Sequence, residues 1–143
     1  NTDQPALSVT KQCTTSVSTA LAVTVNFTGG VCNQSRFAIT GVTGSDIQYN
    51  GGSDIGSAHG VTFAGSSPVN LAPCSTPGSC TLSLNPTSCR TFSGSYTPSQ
   101  VSAGTGACSY VFRDRVTITG NVPLLGTTVS NSNTAECPLC PCP

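Results

Sequence analysis

The sequence predicts an all-β protein: an antiparallel β-sandwich of seven to eight short strands with Greek-key connections. Several segments alternate apolar and polar residues with the period of two that a half-buried strand requires. Turn signals rich in Gly and Pro separate these segments, and no stretch shows the 3.6-residue apolar period of an amphipathic helix. Since 143 residues suffice for one core and are too few for two ordinary domains, we expect a single domain.

The N-terminal region predicts an extended arm followed by an edge strand. Residues 1–5 show no alternation, whereas Leu7, Val9 and Lys11 alternate with Ser and Thr residues up to Cys13. Lys11 lies within this strand, and a lysine on an edge strand discourages uncontrolled pairing with other chains.

The clearest strand pattern lies between Leu21 and Ile39. Apolar residues occupy alternate positions as far as Phe27, and the alternation resumes close to Ile39. Gly29 and Gly30 lie between the two parts, where glycine permits turn conformations closed to other residues. We interpret this stretch as a β-hairpin with Cys32 at its turn.

The region after Ile39 is expected to be irregular. The tetrapeptide GSDI occurs twice around the turn signal Asn50-Gly51. Asp46 and Asp54 belong to these copies and could bind Ca²⁺ through carboxylate oxygens, although a calcium loop usually offers more carboxylates. Two turns of similar chemistry are therefore the preferred interpretation. His59, the only histidine, is placed on a loop, where a Ser-His-Asp arrangement with its neighbours is not favoured.

The second half of the chain predicts further strands and one local disulfide loop. A Pro-Gly turn lies between Cys74 and Cys80, which favours a disulfide between them. In the strand that follows position 109, Asp114 interrupts the apolar face, so a bulge or a surface pair with a neighbouring arginine is expected. The strand segments are predicted around residues 61–63, 82–86, 92–97, 110–119 and 125–133.

The cysteine content predicts a disulfide-stapled protein in an oxidising, secreted setting. The count is odd, so at least one sulfur is free or pairs with another chain. A bond between Cys13 and Cys137 is plausible if the first and last strands are neighbours. The nine cysteines are Cys13, Cys32, Cys74, Cys80, Cys89, Cys108, Cys137, Cys140 and Cys142.

The end of the chain is treated separately from the domain. We assign residues 1–136 to the domain and residues 137–143 to a Cys/Pro-rich tail. Thiolates of Cys137, Cys140 and Cys142 could bind zinc or copper, but three thiolates lack the fourth ligand of a closed zinc site. Disulfides are the preferred interpretation, and no cofactor is predicted.

Composition argues against several partners. Charged residues make up 7% of the chain and the net charge is zero, which gives no electrostatic footprint for nucleic acid. No apolar run is long enough for a transmembrane helix. Asn26 and Asn33 each begin an Asn-X-Ser/Thr triplet and are glycosylation candidates in a secretory pathway, although such triplets arise by chance in a Ser/Thr-rich chain.

Six motifs carry a resemblance to a known family. In order they are SVTKQC, VTVNFTGGVCN, FAITGVTGSD, VNLAPC, FSGSYTPSQV and DRVTITG. Together they resemble the immunoglobulin-like "conserved repeat" domains of bacterial and archaeal surface proteins over most of residues 6–137. The resemblance implies an immunoglobulin-like sandwich with structural or adhesive use and no catalytic residues. The many cysteines and the Cys-Pro tail depart from the family pattern.

These observations predict a secreted structural protein rather than an enzyme. We expect a subunit of an extracellular filament or surface layer that assembles head to tail with its own copies. Edge strands, chain termini and intermolecular disulfides would make the contacts. The alternative is an immunoglobulin-like adhesion or binding module of a larger cell-surface protein.

Overall fold

The computed structural model describes residues 4–18, 22–50, 52–65, 67–98, 102–103 and 110–138. These residues contain nine β-strands and no helix, so the all-β prediction is confirmed, although seven strands have eight residues or more and are longer than expected. The strands are β1 (Leu7–Val17), β2 (Val23–Asn33), β3 (Thr40–Asn50), β4 (Ser53–Gly60), β5 (Thr62–Phe63), β6 (Cys89–Tyr96), β7 (Ser102–Ala103), β8 (Tyr110–Val122) and β9 (Thr127–Pro138).

The strands form two antiparallel sheets. The first has the order β1-β2-β6-β5, and the second has the order β4-β3-β8-β7, with β9 also paired to β8. Apolar side chains from both sheets make one core, as expected for a sandwich-like arrangement. Its buried residues include Leu7, Val9, Val25, Phe27, Val31, Ile39, Val42, Leu71, Phe92, Phe112, Val116, Ile118 and Val122.

Strands β1 and β9 lie side by side and run in the same direction. The Asn131 side-chain amide donates to the backbone oxygen of Leu7 at 2.7 Å, and the Asn133 amide donates to that of Val9 at 2.8 Å. A disulfide joins Cys13 to Cys137, and all three contacts link residues 124 positions apart. The start of β1 and the end of β9 therefore lie at opposite ends of the domain.

The predicted hairpin turn at Gly29-Gly30 is wrong. Both glycines lie inside β2, which runs without a turn from Val23 to Asn33. A Cβ atom on Gly29 would overlap the Phe92 ring, and one on Gly30 would overlap the Leu82 side chain. These positions require glycine for close packing of neighbouring groups within the sheet. Leu21, where the pattern began, lies outside the described residues.

The region expected to be irregular is a β-hairpin. Strands β3 and β4 pair from Ser45 opposite Gly60 to Asn50 opposite Ser53. Gly52 in the connection has φ +89°, a conformation that favours glycine. Asn50-Gly51 was recognised as a turn signal, but the flanking strands were missed because their alternation is interrupted by glycine and polar residues.

Two further boundaries differ from the prediction. Residues 82–86 form turns, and Leu84 is 79% exposed, so the strand expected there is absent. Strand β9 continues to Pro138 and buries Cys137 in the core, which places Cys137 inside the domain. Residues 139–143 lie outside the described part of the chain.

We predict that Gly94→Ala lowers the free energy of unfolding by about 1–3 kcal/mol because the new methyl group would enter the Phe27 ring, which lies directly opposite across β2 and β6. Gly60→Ala is the matched control, since no atom lies within 4 Å of a Cβ there, and it should change stability by less than about 0.5 kcal/mol. Denaturant unfolding with the disulfides intact would measure both. Equal effects of the two substitutions would contradict the packing argument.

Candidate functional site

A buried lysine is the centre of the candidate site. Leu7, Val9, Lys11 and Cys13 occupy alternate positions of β1, so their side chains share one face. The Lys11 side chain is fully buried, and its Nζ lies 3.1 Å from Asp46 Oδ1 and in direct contact with Asp114 Oδ1. Lys11 therefore joins the first sheet to two acidic side chains of the second. The prediction that Lys11 guards a sheet edge is wrong.

Asp114 reaches this cluster from β8. It lies between Phe112 and Val116 on the face of the strand that points to the core, and it is 0% exposed. Tyr96 Oη donates to Asp114 Oδ2 at 3.3 Å, and Cys137 Sγ lies 3.8 Å from Asp114 Oδ1. The interruption of the apolar face was recognised in the sequence, but its expected causes are wrong.

The arginines beside Asp114 point to the other face of β8. Arg113 donates to Glu136 at 2.9 Å and Arg115 donates to Asp54 at 2.7 Å, and all four side chains are partly exposed. Such surface pairs contribute at most about 1 kcal/mol each. Asp114 therefore lies on the core side of the second sheet, whereas Arg113 and Arg115 lie on its outer side.

The environment of the cluster favours uncharged side chains. Burial lowers the pKa of Lys11, and the nearby Asp46 carboxylate opposes this effect. Burial raises the pKa of Asp46 to about 6, with Lys11 opposing, and burial followed by the charge of Asp46 raises the pKa of Tyr96. The Phe27 ring lies 5.3 Å from Lys11 Nζ. In a low-dielectric site of this kind, burial favours the neutral amine of Lys11 and the neutral carboxyl group of Asp46.

His59 borders the cluster through Tyr96. The two rings stack with their centroids 4.4 Å apart and an interplanar angle of 7°. His59 lies in β4 opposite Asp46 of β3, so its expected position in a loop is wrong.

The two aspartates considered for calcium do not form a common site. Asp46 is buried beside Lys11, whereas Asp54 is partly exposed and paired with Arg115. Both belong to strands and neither lies in a turn. Each carboxylate already faces a cationic side chain, which supplies the positive charge that Ca²⁺ would bring.

The thiolate site considered for the tail, and not preferred there, loses one of its ligands. Cys137 is bonded to Cys13, and Cys140 and Cys142 lie outside the described residues. Within the described ranges, the metal-type group of three His, Cys, Asp or Glu side chains consists of Cys13, Asp114 and Cys137. Because both sulfurs are in a disulfide, they cannot serve as thiolate ligands.

Six of the nine cysteines are paired in three disulfides. Cys13–Cys137 and Cys74–Cys80 are the two pairs considered from the sequence, and the third joins Cys32 to Cys89. The last pair connects directly opposed residues of β2 and β6. Cys108, like Cys140 and Cys142, is not among the described residues.

One glycosylation candidate is part of the core. Asn33 is 0% exposed, and its Nδ2 donates to Phe37 O at 2.7 Å and to Ala72 O at 3.1 Å. Its Oδ1 accepts two hydrogen bonds from Ser35. A glycan on Asn33 is therefore incompatible with this fold, whereas Asn26 is half-buried and remains a candidate.

Comparison with known proteins adds no assignment. No protein-family model matches the chain, no curated protein matches it, and no solved structure matches it. The resemblance to the conserved repeat domains therefore rests on the sequence motifs alone.

None of the residues that the structure describes belongs to a helix with the length and apolar character needed to cross a membrane.

Sequence reasoning missed the grouping of Lys11, Asp46, Asp114 and Tyr96. A usable signal was present on two strands, because Lys11 and Asp114 each occupy a position where the alternation requires an inward-facing residue. Opposite charges at two such positions indicate a buried pair. Asp46 gave no comparable signal, since the apolar neighbours Ile47 and Tyr49 are only half-buried on the outer face of β3.

We predict that stability falls as pH rises from about 4 to 7. The ordinary pKa of an aspartate is 3.8 and that of Asp46 in the folded protein is about 6, so the folded state holds this proton more tightly. The resulting stabilisation is complete below pH 3.8 and is lost as pH rises through 6, by roughly 3 kcal/mol. Denaturant unfolding at several pH values would measure the slope. Asp46→Asn should flatten it, and an equal slope in both proteins would contradict the assignment.

We also predict that Asn33→Ala costs about 2–4 kcal/mol of unfolding free energy, because it removes the side-chain hydrogen bonds to the backbone of Ser35, Phe37 and Ala72. Asn26→Ala is the matched control from the other triplet, since its hydrogen bond to Ser16 Oγ is exposed, and its cost should stay below about 0.5 kcal/mol. Thermal or denaturant unfolding would compare them. A small effect at Asn33 would show that its hydrogen bonds are not structural.

Proposed function

We propose that the protein is a secreted structural protein that carries tension along its long axis, as a subunit of an extracellular filament or surface layer. One observation supports this proposal above all. Strands β1 and β9 run parallel, their contacting residues are always 124 positions apart, and the Cys13–Cys137 bond joins the two strands. The start of β1 and the end of β9 lie at opposite ends of the domain, and the disulfide joins these two strands covalently. The proposal assigns no enzymatic activity.

This arrangement directs force through a covalent bond. Tension applied before Leu7 and after Pro138 reaches the Cys13–Cys137 disulfide before it can separate the sheets. The 123 residues between the two cysteines, which include both sheets almost entirely, are then protected from extension. The side-chain hydrogen bonds from Asn131 and Asn133 also resist sliding of β1 along β9. Both bonds bear the force at the same time, because the two parallel strands are pulled from opposite ends.

Two observations support an extracellular, immunoglobulin-like assignment. Three disulfides fit an oxidising compartment outside the cytosol. Two packed antiparallel sheets agree with the resemblance to immunoglobulin-like conserved repeat domains, and we propose Greek-key connections of that type. Structural use is also what that resemblance implies.

The surfaces available for self-association can be narrowed. The backbone oxygens of Leu7 and Val9 accept hydrogen bonds from β9, so this part of the β1 edge is already covered. Residues 7–13, predicted from the sequence as an edge strand, belong to the protein's own sheet. Strand β4 is an end strand of the second sheet and is the better candidate for contact with a neighbouring copy. The odd cysteine count favours an additional intermolecular disulfide.

The alternative function is an immunoglobulin-like adhesion or binding module within a larger cell-surface protein. Entry and exit at opposite ends also suit a tandem array, in which each domain passes tension to the next. Tandem copies in the full-length gene would favour this alternative over a filament subunit.

The filament proposal is tested by the assembly state of the purified protein. We expect polymers by electron microscopy and disulfide-linked multimers by mass spectrometry under non-reducing conditions. Mild reduction should remove the linked multimers and leave folded subunits. A protein that stays monomeric, with all but one sulfur paired internally and no polymers, contradicts self-assembly.

A second prediction concerns mechanical behaviour. Pulled from both termini, the oxidised protein should show no long extension event, because the Cys13–Cys137 bond closes the domain. The double variant Cys13→Ser/Cys137→Ser should show an extension event that the oxidised wild-type protein lacks. The matched control is Cys74→Ser/Cys80→Ser, which opens a loop with a sequence separation of only 6. Single-molecule force spectroscopy would compare them, and equal extension of the two variants would contradict the force path.

A further inference from the structure

We propose that Lys11 and Asp114 are joined by an intramolecular isopeptide bond, formed by condensation of the Lys11 amine with the Asp114 carboxyl group, with Asp46 transferring the proton. This inference concerns a covalent modification of the core and does not rest on the proposed filament function.

An ordinary ion pair does not satisfy the groups in this cluster. A lysine ammonium has three N–H donors, yet Lys11 Nζ has no hydrogen-bond partner, and neither do the two carboxylate oxygens of Asp46. Nζ and Asp46 Oδ1 approach each other as an ion pair at 3.1 Å. Buried charges need both pairing and hydrogen bonds to offset the loss of water. One amine with two acids also leaves an unbalanced negative charge if all three ionise.

The geometry brings the reacting groups together. Lys11 Nζ is in direct contact with Asp114 Oδ1, and both side chains are 0% exposed. Their strands, β1 and β8, lie in different sheets that the Cys13–Cys137 bond and the core hold in place. Groups fixed in this way react with effective concentrations of about 10⁵–10⁸ M. Exclusion of water then disfavours hydrolysis of the amide.

The protonation states support the reaction. The nucleophile must be a neutral amine, and burial lowers the pKa of Lys11 toward that form. A proton carrier must exchange a proton near neutral pH, and the pKa of Asp46 is raised to about 6. Asp46 Oδ1 is 3.1 Å from the nitrogen that must lose a proton.

The step balances without any co-reactant. The Lys11 Nζ lone pair attacks Cγ of Asp114 in its acid form, and the C=O π electrons move onto oxygen as the C–N bond forms. Asp46 takes one proton from the nitrogen and returns it to the Asp114 hydroxyl oxygen. That oxygen leaves as water with the electrons of the C–O bond, and the C=O bond is restored. One amine and one acid yield one amide and one water, and Asp46 regains its starting state.

Tyr96 is positioned to stabilise the intermediate. Its Oη donates to Asp114 Oδ2 at 3.3 Å, so Oδ2 carries the developing negative charge and remains as the amide oxygen. Oδ1, the oxygen in contact with Lys11, is then the one that leaves. A preorganised donor at a developing oxyanion accelerates acyl transfer by about 10²–10³-fold. Tyr96 is therefore a catalytic residue of the proposed bond formation.

Intact mass after full reduction and denaturation of the purified chain tests the proposal directly. We expect a mass lower than that of the reduced sequence by one water, about 18 Da. A full-length folded protein with the unmodified mass overturns the proposal, and this measurement needs no variant.

Tryptic digestion locates the bond. Asp114 lies between Arg113 and Arg115, so trypsin should release it as the dipeptide Asp114-Arg115. In the linked protein, this dipeptide should remain attached to residues 1–36, with no cleavage after Lys11. Loss of water elsewhere, together with normal cleavage after Lys11, contradicts the assignment.

Variants separate the roles of the three side chains. Lys11→Met and Asp114→Ala should restore the full mass expected for each sequence. Asp46→Asn should lower the linked fraction at least tenfold at equal times after synthesis, and Tyr96→Phe should slow linkage. Asp54→Asn is the matched control, because Asp54 pairs with Arg115 on the surface, and it should leave linkage complete. Complete linkage in Asp46→Asn would overturn the role given to Asp46.

Force spectroscopy keeps this proposal distinct from the proposed function. Once the disulfides are reduced, an unlinked domain should release the 124-residue interval from Cys13 to Cys137, about 400–450 Å of chain. A linked domain should release only the interval of 23 positions from Asp114 to Cys137, about 80 Å. The long event refutes the isopeptide bond. Absence of filaments would refute assembly and leave the bond unaffected.

Discussion

The contact of one lysine with two aspartates in the interface between the sheets is the constraint on which the rest of the structure depends. Lys11 reaches from β1 to Asp46 of β3 and Asp114 of β8. A slip of β1 by one residue would turn Lys11 to the other face and leave two buried acids without a cationic partner. Since breaking a buried pair costs about 3–5 kcal/mol, the cluster determines how the two sheets face each other.

The neighbouring disulfide has a complementary role. Cys13 follows Lys11 by two residues on the same face of β1, and its partner Cys137 lies next to Asp114. Both interactions therefore hold β1, and they do so at neighbouring inward positions. Lys11 links the strand across the core to β3 and β8, and Cys13 links it to β9. Amide donors from Asn131 and Asn133 continue this attachment toward the start of β1. The first strand is thus tied to β9 along its edge from Leu7 to Cys13.

Sequence patterns predicted the elements whose inward residues are apolar, and failed where packing or polarity overrides the pattern. Strands β6 and β8 were predicted because aromatic or branched residues recur at alternate positions. Gly29-Gly30 was misread as a turn because the sequence does not show that the Phe92 ring lies against Gly29 and the Leu82 side chain against Gly30. Strand β3 was missed because its core side contains Asp46 and Gln48. The burial of Asp46 depends on its pairing with Lys11, more than thirty residues earlier, and no local pattern contains that information.

The placement of charge argues that the cluster is a selected feature of this chain. Only ten residues are charged, and three of them meet in the core, although Lys and Asp are among the residue types least often buried. Retaining three ionised groups there would cost several kcal/mol each before pairing. An amide between Lys11 and Asp114 would replace two of these charges by one neutral group that Tyr96 already faces. Asp46 would then be the only carboxylic acid left in the cluster, and without the Lys11 charge that lowers its pKa, burial would favour its uncharged form.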